Sequence, residues 1–151
     1  MSIIELLVGV FLGGVFGYWI SVWQAAKQFR EERADILKAL LGSLNKNVHY
    51  IKQMEDLHFP RGETPTFPFD TVALAHTTLH ARKYLPKGTN WAEHYNGLRF
   101  ELDHINRKLL MYHIAPKPAH EELNAIKGLI TNVKGILESE IDTLSKFIPK
   151  N

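Results

Sequence analysis

Histidine is the side chain in this sequence best suited to chemistry near neutral pH, because imidazole can move protons and ligate metals. Eight are present: His49, His58, His76, His80, His94, His104, His113 and His120. His76 and His80 stand four residues apart, so on a helix they share a face and could hold one metal ion between them. A third ligand must then come from elsewhere in the chain, with His49 or Glu93 as candidates, and no spacing selects either. Read without a ligand, the same two residues are simply histidines at the edge of a core. No Ser/His/Asp order, glycine-rich phosphate loop or paired-carboxylate motif is present. The chain has no cysteine, which excludes disulfides and thiolate metal sites and agrees with a cytoplasmic location. A net charge of +2 with acids and bases interspersed leaves no strong electrostatic footprint for nucleic acid. No cofactor is expected.

The elements that must position these residues start with an apolar run. Residues 3–23, IIELLVGVFLGGVFGYWISVW, carry a single charge, Glu5. As a helix they are long enough to cross a hydrocarbon core of roughly 30 Å. Gly9, Gly13 and Gly17 recur at every fourth position and form one smooth face where another helix backbone could approach, although glycine is common in membrane helices generally. Tyr18, Trp19 and Trp23 cluster where aromatic rings favour the headgroup region. Lys27, Arg30 and Arg33 follow the run and no Lys or Arg precedes it, so the positive-inside bias puts the N-terminus outside and the rest in the cytoplasm. A cleaved signal peptide fits less well, since a basic n-region and a clear A-x-A site are missing and the run exceeds an ordinary h-region.

Four amphipathic helices are expected beyond this anchor. The membrane helix should run on past Trp23, because no Gly or Pro intervenes before Gly42. Leu37, Leu41, Leu44, Val48 and Ile51 then give the first packed stripe. Pro60, Gly62, Pro65 and Pro68 force an irregular connection. Asp70 is placed to N-cap a second helix starting near Thr71, with Phe69 and Leu74 spaced as a hydrophobic staple. That helix should continue to Leu85 and stop before Pro86. Gly88, Thr89 and Asn90 make a turn. Trp91, Tyr95, Leu98, Leu102, Ile105, Leu109 and Tyr112 follow as the cleanest periodic stripe in the chain. Pro116 and Pro118 break the chain again, Glu121 and Glu122 suit the start of a last helix, and Leu123, Ile126, Ile130, Val133, Leu137, Ile141, Leu144 and Ile148 carry its stripe up to Pro149. The expected fold is all-α: an N-terminal transmembrane helix continuing into an up-down four-helix bundle. The divisions are 1–23 for the anchor, 24–35 for a juxtamembrane helical stalk and 36–151 for the cytoplasmic bundle.

The segments LLGSLNKNVHYIKQM, FPFDTVALAHTTLHARKYLP and YNGLRFELDHINRKL resemble those of a widespread group of uncharacterised bacterial single-span membrane proteins. The likeness covers most of residues 36–145 and implies a span ahead of a helical bundle, with no catalytic residues attached. The chain departs from the group at Leu74, where a Trp usually follows the FDT-like start. A second, looser resemblance is to ribonucleases of the HEPN class, some of them membrane-associated defence proteins. There an R-x(4–6)-H spacing at a paired helix interface cleaves RNA: the cation stabilises the pentavalent phosphate and the imidazole moves protons. Arg107 and His113 match that spacing, with Asn106 as polar neighbour, and so do Arg99 and His104. Without catalysis, Arg107 belongs to a solvated face where Asp103 at i−4 can pair with it.

The expected function is therefore a noncatalytic, self-associating helical interaction protein anchored in the cytoplasmic membrane. Its expected partners are membrane lipid, further copies of the chain and a protein partner. The alternative reading is a membrane-tethered HEPN-like ribonuclease or defence effector, and nucleic acid is a partner only under it.

Overall fold

Apolar residues with no helix breaker among them dictate the first element. In the computed structural model, which describes residues 3–56, 69–86, 90–115 and 120–148, helix α1 spans Ile3–Asp56. Helix α2 follows at Thr71–Ala81, α3 at Trp91–Ile114 and α4 at His120–Ser145, and no strand occurs among the described residues. The fold is an all-α helical bundle. The expected connections at 58–68, 88–89 and 116–118, and the stop at Pro149, lie outside the described residues. The chain divides into two compact units, Met1–Asp35 and Ile36–Asn151.

In the first unit every described side chain from Leu7 to Glu32 is exposed. Phe11 is 72% accessible and Trp19 69%, values that leave whole aromatic rings bare. Intrahelical polar contacts follow the apolar run: Arg30 Nε donates to the Ala26 carbonyl at 3.3 Å, and Lys27 pairs with Glu31 at 3.8 Å. Both are exposed, so they contribute little to stability.

The second unit holds the core. From α1 it takes Leu37, Leu40, Leu44, Val48, Ile51 and Met54. Leu40 is fully buried and Leu41 only half-buried, which corrects the expected stripe by one position. Successive helical residues are about 100° apart, and Leu40 falls inside the arc that runs from Val48 to Met54 whereas Leu41 stands just outside it. From α3 the core takes Tyr95, Leu98, Leu102, Ile105, Leu109 and Tyr112, with Trp91 packed against it, as the stripe requires. From α4 it takes Leu123, Ile126, Ile130, Val133, Leu137 and Leu144, while Ile141 and Ile148 are half-buried at its edge.

Helix α2 ends at Ala81, earlier than the approach to Pro86 predicts. The Tyr84 N–H bonds back to the Ala81 carbonyl at 2.8 Å, a three-residue step that tightens the chain out of α-helical geometry. The turn carries Tyr84 and Leu85 into the core, where both are buried. Burial of these two large side chains outweighs continuation of the backbone ladder.

Helix directions follow from contacts at their ends. His94, near the start of α3, bonds Glu140 near the end of α4 at 2.9 Å, and the Trp91 ring meets Phe147 edge-on at 6.3 Å, so α3 and α4 are antiparallel. The start of α2 lies beside Asp103 and Asn106, and its end beside Asn96 and Arg99, so α2 is antiparallel to α3 as well. Leu102 is fully buried in the middle of α3 and Arg107 is exposed. Leu102→Ala should lower stability by about 2–5 kcal/mol. Arg107→Ala should change it by under about 0.5 kcal/mol. Urea unfolding of the full chain in neutral detergent, followed by tryptophan fluorescence, measures both, and equal shifts would contradict this assignment of helix faces.

Candidate functional site

Two asparagines occupy positions that the stripes reserve for apolar residues. Asn47 lies three residues after Leu44 and four before Ile51, and it is fully buried. Asn106 lies four after Leu102 and three before Leu109, and it is 5% exposed. A buried amide must find partners, because each polar group left bare costs about 1–3 kcal/mol. Both find them on the backbone just ahead of α2. Asn106 Oδ1 accepts from Phe69 N–H at 3.2 Å, and its Nδ2 donates to the Phe69 carbonyl at 3.1 Å. Asn47 Oδ1 accepts from Asp70 N–H at 2.9 Å, while its Nδ2 donates to the Ser43 carbonyl at 3.1 Å.

Asp70 then caps the helix as expected. Its Oδ1 accepts from Ala73 N–H at 2.9 Å, and its Oδ2 accepts from Lys46 Nζ at 2.7 Å. The hydrogen bond from Lys46, followed by that from Ala73, holds the Asp70 carboxyl below its ordinary value, and the Asp70 carboxylate in turn raises Lys46. Phe69 and Leu74, the expected staple, are both in the core. Sequence reasoning placed Asp70 but did not single out Asn47, and it took Asn106 as a neighbour of Arg107. The available signal was an amide at a stripe position.

Arg107 is exposed on the rim of an open cleft of about 310 Å³ formed by Phe69, Asp70, Val72, Asp103 and Asn106. Among the described residues no ion pair joins it to Asp103. His113 is half-buried, its Nε2 sealed from water without a hydrogen-bond partner and its ring 6.0 Å from that of Tyr112. Six residues along α3 place Arg107 and His113 about 120° apart around the axis and about 9 Å apart along it. Asn106 lines the same cleft as Arg107, but it is buried and its amide is taken up by Phe69. In the second Arg/His spacing, Arg99 is half-buried and His104 exposed.

His76 and His80 come together as their spacing predicts, with Nε2 atoms 3.2 Å apart and ring centroids 4.5 Å apart. The two expected third ligands are engaged elsewhere. His49 bonds Gln53 at 3.0 Å, and Glu93 bonds the Asn90 amide. Among the described residues no group of three or more potential ligands could hold a metal ion. Gly9, Gly13 and Gly17 lie on the exposed part of α1, and a methyl group added at any of them meets nothing within 4 Å.

At the far end of α3 the Tyr95 hydroxyl is pushed well above its ordinary value, by burial first and then by the charge of Glu140. The ring stacks on Trp91 at 5.8 Å, so Tyr95 acts as a neutral packing residue. No family model, curated protein or solved structure matches the chain, so no residue role is supplied by a relative.

Asn106→Ala strips both partners from the Phe69 peptide groups and should lower stability by about 1–3 kcal/mol, read as a fall in the urea midpoint. A pH dependence follows from Asp70. Its folded-state value is depressed, so its stabilisation is fully present above the ordinary carboxylate range near 4 and is lost as pH falls through the depressed value. Asp70→Asn keeps an N-cap but cannot titrate. Urea midpoints taken from neutral pH down to about pH 3 should therefore fall less steeply in the variant than in the parent chain.

Proposed function

We propose that this chain is a single-pass membrane protein of the cytoplasmic membrane that works by association, with copies of itself and with a protein partner, and not by catalysis. The observation that carries the reading is the bare apolar surface of α1. Ile4, Phe11, Phe16, Tyr18 and Trp19 are all well exposed on one helix, and its apolar window has no buried residue. Contiguous apolar surface beyond a few hundred Å² marks contact with lipid or another protein. By length and composition α1 suffices to cross a bilayer. A helix also satisfies its own backbone hydrogen bonds, as a segment in lipid must.

Orientation rests on Lys27, Arg30 and Arg33, which follow the span and favour the cytoplasmic side for residues 24–151. Self-association rests on the face of Gly9, Gly13 and Gly17. In lipid, burial of apolar side chains between helices gives little advantage, and close backbone contact becomes a main source of attraction. That face is open, since nothing lies within 4 Å of where a side chain would grow. The bundle supplies the surface offered to a protein partner.

Gly13→Ile should reduce the oligomers trapped by crosslinking in membranes, while Gly14→Ile, about 100° around the helix, should reduce them less. A chain beginning at Gln24 separates association through the span from association through the bundle. Oligomers that persist undiminished in both the Gly13→Ile chain and the shortened chain would contradict self-association through the glycine face.

A further inference from the structure

Between Asp70 and Glu93 the sequence contains no carboxylate, yet it contains Arg82, Lys83 and Lys87. Part of this stretch, from Ala75 to Arg82, forms one wall of an open cleft of about 380 Å³ between α2 and the start of α3. The polar groups on its walls are His76, Thr78 and Arg82 from the α2 side and Asn96 and Arg99 from α3. All are hydrogen-bond donors or can become so, and no acidic residue lines the cleft. Among the described residues neither Arg82 nor Arg99 is in an ion pair.

The two arginines differ in how they are held. Arg82 is exposed just past the end of α2. Arg99 is half-buried, with its guanidinium carbon 4.8 Å over the Phe100 ring, a cation–π contact. Its Nε is sealed from water and has no hydrogen-bond partner. Arg82 and Arg99 line one cleft that has no acidic residue on its walls, so both charges attract an anion there. The planar fork of arginine matches two oxygens of a phosphoryl group. The neighbouring His76 and His80 pair resembles two arms of a metal site, but a cation there would sit in the field of both arginines.

We propose that this cleft binds a phosphoryl oxyanion, held by Arg82 and Arg99 with Asn96 and His76 as further donors. Its volume lies within the roughly 300–1,000 Å³ of small-molecule sites. The phosphoryl group is supplied either by a free small anion or by the headgroup of an anionic phospholipid. The site stands independently of self-association, since none of its residues belongs to the span.

The test uses the full chain reconstituted in phosphatidylcholine vesicles, titrated with inorganic pyrophosphate by calorimetry at constant ionic strength. Saturable binding is expected, weakened about tenfold by Arg82→Ala and by Arg99→Ala, the loss of one charge-assisted contact in each. Arg99→Lys keeps the charge but not the fork and should fall between the parent chain and Arg99→Ala. Lys52→Ala, which removes one exposed charge on α1 outside the cleft, should leave binding unchanged. Repeating the titration with phosphatidylglycerol in the vesicles identifies the source: loss of pyrophosphate binding marks the headgroup, and unchanged binding marks a free anion. Absence of saturable binding, or equal weakening by Lys52→Ala and the two arginine variants, would overturn the proposal. Circular dichroism of each variant separates loss of binding from loss of fold.

Discussion

The grip of two buried amides on the backbone of Phe69 and Asp70 is the constraint on which the rest of the bundle depends. Helix α2 has 11 residues, a length at which an isolated helix is marginal in water. Its formation therefore relies on what fixes its first turn. Asn47 from α1 and Asn106 from α3 supply three hydrogen bonds to that turn, all in places withdrawn from solvent. Any shift of α2 along α3 would leave amides and peptide groups buried and unpaired, a penalty much larger than the weak preference of one apolar register over another. The clamp thus sets the position of α2, and that position brings Arg82 alongside Arg99.

Much of this was legible in the residue pattern, and what was not has a physical reason. The α3 and α4 stripes run without an internal proline, so period alone identified Tyr95, Leu102 and Val133 as interior. The Asp70 cap was legible because an acidic residue just ahead of an apolar run has few other roles. The end of α2 was not, since Pro86 sets only an outer limit and the burial of Tyr84 and Leu85 decides where the turn falls. Leu40 and Leu41 are chemically identical neighbours, and only the packed arc distinguishes them. Asn47 and Asn106 were missed as structural residues because hydropathy counts an amide as exposed wherever it stands. The pairing of His76 with His80 is local and could be read from spacing, whereas the cleft with Arg82 and Arg99 exists only through antiparallel packing of two helices.

The two units solve the problem of apolar surface in different ways. Ile36–Asn151 buries its leucines and isoleucines against one another and gives the two amides it buries, Asn47 and Asn106, backbone partners. In Met1–Asp35 the described residues from Leu7 to Trp23 are all exposed, a bare apolar surface that a lipid environment favours. Of the basic residues that follow Trp23, Lys27 and Arg30 are exposed, and under the proposed function the same residues orient the span.

The central claim is that α1 crosses the membrane with the bundle on the cytoplasmic side. Because the chain has no cysteine, a single introduced thiol reports its own location. Ser2→Cys and Ser139→Cys, the latter at an exposed position on α4, are treated in intact spheroplasts with a membrane-impermeant maleimide, and the membranes are then washed at alkaline pH. The account predicts labelling of Ser2→Cys in intact cells, labelling of Ser139→Cys only after lysis, and retention of both proteins in the washed membranes. Labelling of Ser139→Cys before lysis, or release of the protein by the alkaline wash, would contradict it.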